Sequence, residues 1–226
     1  MIRNADVTIV IPCKNEAKTL LPIYAQLKKQ GYRILVPIAK NSRDETKNIC
    51  EQNSIPYFMD SGGGKGVALR EAIDKVETPY LIFFDADGSH DIKDIAPMAE
   101  RLEDADMVIG SRLQGGSLEL YDGSLESFFR TFFTICINQI VNTRFGSRVT
   151  DTQNGFRGGK TASLRKLKLR SKTFEVETEM VMKMLKHKMK IAEIPAREYP
   201  RKFGGSGVSL IRHGWRYVLC VLRNLI

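Results

Sequence analysis

The sequence predicts an α/β fold, a mostly parallel central sheet with helices on both faces, followed by C-terminal amphipathic helices. Three observations predict it. Short β-branched or aromatic apolar runs recur through the first half of the chain. Segments of helical spacing alternate with them, the pattern of βαβ units whose sheet is covered on both sides. The 226 residues, 42% hydrophobic and 27% charged, suit one domain with a sizeable core.

Residues 7–11 (VTIVI), stopped by Pro12, predict a buried parallel strand. Helical spacing follows over 17–30, ended by Gly31. Residues 34–38 form a second strand, 44–52 a helix and 56–59 a short strand. The glycine run 62–64 with Lys65 and Gly66 opens a helix over 67–75. Residues 80–84 (YLIFF) are a fourth strand running directly into Asp85. A helix over 92–102 and a strand over 107–110 complete the alternation. Beyond Arg112 the pattern changes. Residues 115–123 are loop-like, 125–144 a long helix rich in Phe and Ile, and 150–159 a polar loop. A helix over 174–188, a strand over 190–195, a basic glycine-rich loop over 199–207 and an apolar, basic helix over 210–226 follow.

The net charge is +9, which draws anionic partners: nucleic acid, an acidic membrane face or phosphorylated substrates. No apolar run reaches the roughly 18 residues of a membrane span, and the polar N-terminus is not read as a signal peptide. Cys13, Cys50, Cys136 and Cys220 are scattered without a CxxC pair. With three histidines in the chain, this argues for buried reduced thiols and against zinc.

In such sheets ligands sit at the carboxyl ends of the strands. There Asp85-Ala86-Asp87 puts two carboxylates one residue apart, which can hold one hard cation such as Mg2+ or Mn2+ bridging diphosphate oxygens. A solvated acidic turn is the plain alternative. The glycine run lets backbone approach a ligand at a helix N-terminus; it lacks the Walker A spacing, and a flexible turn would look the same. Arg130 and Thr134, four apart on one helix face, can grip a phosphate or simply decorate a surface. Phe128, Phe129, Phe132, Phe133, Ile135 and Ile137 wrap too broadly for one narrow stripe, so their helix is core on one side and available to a membrane on the other, or core throughout. Arg201, Lys202 and the glycines after them form a basic loop able to close over a diphosphate, or a basic linker.

Together these motifs resemble family 2 glycosyltransferases with the GT-A fold, a Rossmann-like architecture, and in particular the branch of dolichyl-phosphate mannose synthases and glucosyltransferases. The resemblance runs from about Val7 to about Arg212. Pro12-Cys13-Lys14-Asn15-Glu16 resembles the P-x-x-N-E segment lining the nucleotide pocket. Asp85-Ala86-Asp87 matches the acidic metal motif, and residues 108–112 the V-I-G-S-R strand and turn. Residues 151–157 resemble the D-x-x-S-G-F-R loop near the reaction centre, residues 201–206 the R-x-x-G-x-S phosphate loop, and Arg130 with Thr134 the pair holding a lipid phosphate. One stretch departs: where the family has D-D-G-S-x-D-x-T, this chain has Ala39-Lys40-Asn41-Ser42-Arg43-Asp44-Glu45-Thr46. Both leading aspartates are absent, which leaves the base open. Ser89 stands where mannose synthases often have a glutamine, and Gly207 where a lysine is frequent.

The resemblance implies a GT-A catalytic domain over 1–210, a C-terminal amphipathic helix over 211–226, and inverting transfer of a hexose from a nucleotide-sugar (GDP-mannose, or a UDP-hexose) to a polyprenyl or dolichyl phosphate. Mn2+ or Mg2+ would be held by Asp85 and Asp87 with Ser89 beside them. The donor would contact Pro12, Lys14, Asn15, Glu16, Ala39, Lys40, Lys65, Asp85, Ala86, Asp87, Arg112, Arg201 and Lys202. Arg112, Arg130 and Thr134 would hold the acceptor phosphate, and Asp151, Arg130 and Arg201 would act in catalysis, Asp151 as the base if the acceptor is a hydroxyl. The basic charge and the helices over 125–144 and 210–226, anchored by Arg212, Trp215, Arg216 and Tyr217, suit a cytoplasmic protein lying on an anionic membrane face. Packing of those helices on the sheet, or a homodimer, is the plainer use. Nucleic acid is not expected; a non-catalytic basic protein binding lipid headgroups or nucleic acid is the competing reading, as is a transferase acting on a non-lipid hydroxyl.

Overall fold

Seven strands form one sheet in the computed structural model, which describes residues 1–117, 124–201 and 210–225, with the side chains of 126 and 210–213 left undescribed. Strand β1 (Val7–Val10) is followed by α1 (Ala17–Lys29), β2 (Arg33–Ile38), α2 (Thr46–Gln52), β3 (Tyr57–Met59), α3 (Lys65–Lys75) and β4 (Tyr80–Phe83). Then come α4 (Ile95–Arg101), β5 (Met107–Ser111), the single turn α5 (Arg112–Gly115), α6 (Leu125–Phe145), β6 (Arg157–Lys160), α7 (Thr161–Lys166), α8 (Val176–Lys186), β7 (Ile191–Pro195) and α9 (Leu210–Leu225). The sheet order is β3-β2-β1-β4-β6-β5-β7.

β1 alternates across the sheet. Val7 and Ile9 enter one buried cluster with Leu20, Leu27 and Met98, while Val10 enters the other with Leu69, Phe83, Ile109 and Met180. This is the two-faced cover that the continuous apolar strands predict. α9 contributes Tyr217 and Val221 to the second cluster, and Tyr217 meets Phe133 of α6 edge-on at 6.1 Å.

The sequence reading needs one correction. Residues 157–160 lie within the predicted polar loop, yet they form β6, antiparallel to both β4 and β5 (Ile82 opposite Gly158, Val108 opposite Gly158). Arg-Gly-Gly-Lys has no strand propensity. Packing selects the glycines instead: a Cβ on Gly158 would stand 2.9 Å from Ile82 Cγ1, and one on Gly159 2.8 Å from Leu164 Cδ1.

Because β6 runs the other way, the loop before it emerges at the same sheet edge as the loops after β1, β2, β4, β5 and β7. Phe83 pairs with Arg157, Val10 with Phe83 and Ser111 with Pro195. The topology thus gathers residues 11–16, 39–46, 84–90, 111–117, 151–156 and 196–201 along one edge.

Candidate active site

The loops after β1 and β2 are knitted by one carboxylate. Asp44 Oδ2 accepts from the backbone N–H of Ala17, and its Oδ1 from the Thr46 amide and hydroxyl. Thr46 Oγ1 in turn accepts from the Glu16 N–H, and Asn15 Oδ1 from the Arg43 N–H. Asn15 holds φ +61°, which asparagine tolerates better than most residues. The part of the 39–46 stretch that matches the family pattern, Ser42, Asp44 and Thr46, is the part that does this stitching.

These loops wall a 680 Å³ cavity lined by Pro12, Lys14, Asn15 and Glu16, by Ala39 and Lys40, by the glycines 62–64 with Lys65, by Asp85, Ala86 and Asp87, and by Arg201. The donor residues expected from the sequence therefore converge, apart from Arg112 and Lys202. Lys202 and the glycines of its loop fall outside the described residues.

Asp85 Oδ1 receives the Lys65 ammonium at 2.8 Å, and Lys65 reaches Glu177 Oε1 of α8 at 3.1 Å. Burial alone would raise the Asp85 carboxyl, but Lys65, with His90 and Arg201, outweighs it and keeps the group below the usual carboxylate range. Burial likewise disfavours charge on Lys65, and its two carboxylates overcome that and raise it. Burial raises the Glu177 carboxyl, and Glu177 Oε2 is buried without a partner. Gly155, of the loop before β6, abuts this pair: a Cβ there would lie 2.6 Å from Asp85 Oδ2 and 2.7 Å from Lys65 Nζ.

Asp87 is 4% exposed. Its Oδ1 accepts from the Ser89 amide and hydroxyl at 3.0 and 2.6 Å, and its Oδ2 faces Arg201 at 3.2 Å. The Tyr199 N–H donates to Ser89 O, which carries the segment bearing Arg201 across to Asp87. Ser89 was expected beside the metal. It is buried, outside the cavity lining, and its hydroxyl is committed to orienting Asp87. Glu16 is pushed up to about 7 by burial and by Asp87.

The donor set fits a hard divalent cation. Among the described residues no three His, Cys, Asp or Glu side chains gather closely enough to enclose an ion; two carboxylates at a cavity mouth leave coordination to water and ligand phosphates, the habit of Mg2+ and Mn2+.

Three expectations change. Asp151 is fully buried: Oδ2 accepts from Arg112 N and Nε, and Oδ1 from Arg112 Nη2 and the amides of Gln153 and Asn154. Burial would raise this carboxyl, and Arg112 with those amides holds it below the ordinary range instead. With both oxygens occupied and no access to the cavity, it orients Arg112 and is not placed as a base. Arg112, committed to Asp151 and near Glu198 at 3.6 Å, does not line the donor cavity. Thr134 is 1% exposed and donates to Arg130 O and Gln153 Oε1. It tops a polar ladder on α6 in which Asn138 and Asn142 hold Thr152 and Val149. Its hydroxyl is therefore engaged within the protein, held by Gln153, whose own Nε2 is buried without a partner.

The sequence reading missed Asp60, Thr173, Phe174 and Glu177. Asp60 stands just before the glycine run and lines the cavity; its Oδ1 accepts from the amides of Lys40 and Gly62. That adjacency was a usable signal. The others lie on segments with no motif of their own and meet the glycine run and Lys65 from the far half of the chain.

Known proteins resemble this chain in sequence and in fold. The model of the family described as glycosyl transferase family 2 matches residues 8–171. Glycosyltransferase AglJ of Haloferax volcanii is 30% identical over 92% of this chain and 68% of its own length. The UDP-N-acetylglucosamine–dolichyl-phosphate N-acetylglucosaminyltransferase of Methanococcus voltae is 25% identical over 84% of each chain. Among solved structures, glucosyl-3-phosphoglycerate synthase from Mycobacterium tuberculosis, crystallised with Mn2+, UDP and phosphoglyceric acid, superposes with TM-score 0.71 at 14% identity, covering 97% of this chain and 78% of its own. That likeness bears on the fold.

Proposed function

The chain belongs to glycosyl transferase family 2, and on that premise we propose that it moves a hexose from a nucleoside-diphosphate sugar to a polyprenyl phosphate at a membrane surface. The observation that carries the reading is the convergence of Asp85, Asp87, Lys65 and Arg201 with the 12–16 and 39–40 segments on one 680 Å³ cavity. Asp85 and Asp87 would hold Mn2+ or Mg2+, which supplies charge stabilisation for a departing diphosphate. Arg201 and Lys65 add fixed positive charge at the same place. The cavity floor beside Ala39 and Lys40 receives the nucleoside.

The acceptor is a phosphate monoester, whose oxygen is already anionic near neutral pH. Its lone pair attacks the anomeric carbon, the bond from that carbon to the diphosphate oxygen breaks, and configuration inverts. No protein base is required, in keeping with the saturated Asp151; orientation and charge carry the barrier. Arg130 is the group offered to the acceptor phosphate.

One feature of the described residues supports the membrane setting. No helix of the described residues is long and apolar enough to cross a membrane. Yet Phe128, Phe129, Phe132 and Ile135 point outward from α6, each at least half exposed, a large apolar stripe for a surface helix. The relative from M. voltae is named for a dolichyl-phosphate acceptor, which supports the acceptor class.

The test is calorimetric donor binding followed by turnover. UDP-glucose, UDP-N-acetylglucosamine and GDP-mannose are offered with Mn2+, with and without a short polyprenyl phosphate, to the native chain and to Asp87→Ala. One donor binding with metal and transferring only with the lipid phosphate supports the proposal and names the sugar. Transfer indifferent to the lipid refutes the acceptor, and absence of metal-dependent donor binding refutes the donor site.

A further inference from the structure

A second cavity, 950 Å³, lies between the segment joining α7 to α8, one face of α8, and α9. Eight of its seventeen lining residues are lysine or arginine, against two glutamates. Those glutamates offset only part of the charge on the walls. Glu179 accepts from the amides of Arg170 and Ser171 and pairs with Lys183 at 2.6 Å; Glu175 accepts from the amides of Lys172 and Thr173. Both are buried, tied to the loop backbone below the cationic rim. The charge is thus concentrated in a concave surface, where it selects anions.

The rim has a second property. Trp215, Val218, Leu219 and Leu222 of α9, spaced three and four apart, are 56, 48, 38 and 54% exposed. The Arg216 guanidinium lies 5.2 Å over the Trp215 ring. An apolar stripe beside a cationic trough, with Trp and Arg at the seam, is the chemistry of a segment lying in the headgroup layer. A soluble polyanion would answer the charge and leave the stripe in water. A second copy of this chain, also carrying +9, would cover the stripe and oppose the charge.

We propose that the groove between the 166–172 segment and α9 is a docking site for anionic phospholipid headgroups, with the α9 stripe seated among the acyl chains. This deepens the membrane reading above and rests on it only for the nature of the surface. The groove also shares a wall with the donor cavity: Lys172 lines one, and Thr173 and Phe174 the other. Docking there would set the donor cavity close to the bilayer.

Trp215 is the single tryptophan, so binding is read directly from its emission. The full chain is titrated with phosphatidylcholine vesicles with and without about one-third phosphatidylglycerol, alongside Lys166→Glu/Lys168→Glu/Arg223→Glu, whose residues are exposed and outside the donor cavity. Expected are a blue shift and saturable binding with anionic vesicles, weakening with added salt, and at least a tenfold loss of affinity in the triple variant at unchanged melting temperature. Equal binding to neutral vesicles, retained affinity in the triple variant, or binding without a Trp215 shift would each overturn the proposal; so would tight binding of soluble polyphosphate with no vesicle binding. Calorimetric donor binding on the same samples, without vesicles, keeps the two readings separable. A chain that binds donor but ignores anionic vesicles refutes the groove alone.

Discussion

Two ion-pair clusters stand on the same sheet edge, and they differ in what they leave unfilled. Around Asp151 every oxygen is occupied, by Arg112 and by three backbone amides, and the carboxylate is sealed from solvent. Around Asp85 and Asp87 the side chains face a cavity, Glu177 Oε2 and His90 Nδ1 lack partners, and the counter-charges are a lysine and an arginine that also line the cavity. A saturated buried pair holds a loop in place. An unsaturated one beside empty space is arranged for something that arrives. On this comparison Asp151 is scaffold, and the acids of the D-x-D turn are the groups we propose for the reaction.

The comparison breaks most visibly at Asp151. Asp151→Asn leaves Arg112 buried with its charge poorly answered and should cost about 3–5 kcal/mol in urea unfolding, with much of that recovered in Arg112→Met/Asp151→Leu. The pH sign follows from the depressed carboxyl. Its folded value lies below the unfolded one of about 3.9, so its contribution is whole above that pH and is lost as pH falls through the folded value. Native chain should therefore lose stability more steeply than Asp151→Asn in acid, measured by melting temperature at pH 3–5.

At the open cluster the ordering inverts. Asp87→Asn should lower turnover by roughly 10²–10³, the scale of removing one preorganised charge-stabilising group, while unfolding free energy changes by about 1 kcal/mol or less. A large stability loss with donor affinity intact would erase the distinction. Gly66→Ala lies between the two: its Cβ would meet Ser171 O at 2.5 Å, so about 1–3 kcal/mol of overpacking cost should come with weakened donor binding, because the 171–174 wall must move. The smallest effect is expected at Phe132→Ser on the exposed face of α6: stability within about 0.5 kcal/mol, with lower partition onto vesicles.

How much could be read from the sequence follows the same division. β1 and β4 are apolar runs ending at an edge, so periodicity and the flanking Pro12 and Asp85 located both the strands and the cavity. α6 was legible in extent, and its two faces only in outline: Phe133, Ile137 and Val141 turn inward while Phe128 and Phe132 turn out. The strand β6 was not legible, since its glycines are chosen by Ile82 and Leu164 across the sheet and no local propensity marks them. The roles of Asp151 and Thr134 misled for a related reason. A carboxyl or hydroxyl in a motif looks available until burial and partners are known, and here these partners include residues 39 and 19 positions away. Glu177 lacked even a motif, because its partner Lys65 comes from the far half of the chain.

The placement of β6 has a consequence for the order in which the molecule can be assembled. β4 and β5 follow one another in the chain but are separated in the sheet by a strand that is synthesised last among the three. As the chain leaves the ribosome, β3, β2, β1 and β4 can pair, while the outer edge of β4 stays bare and β5 has no neighbour until residues 157–160 arrive; β7, its other partner, comes later still. A bare edge invites wrong pairing, and pairings this distant in sequence form slowly. Closure of the sheet by two glycines, with little side chain to steer, is therefore the step at which nascent chains should be most exposed to aggregation, and it is the same step that brings Gly155 against Asp85.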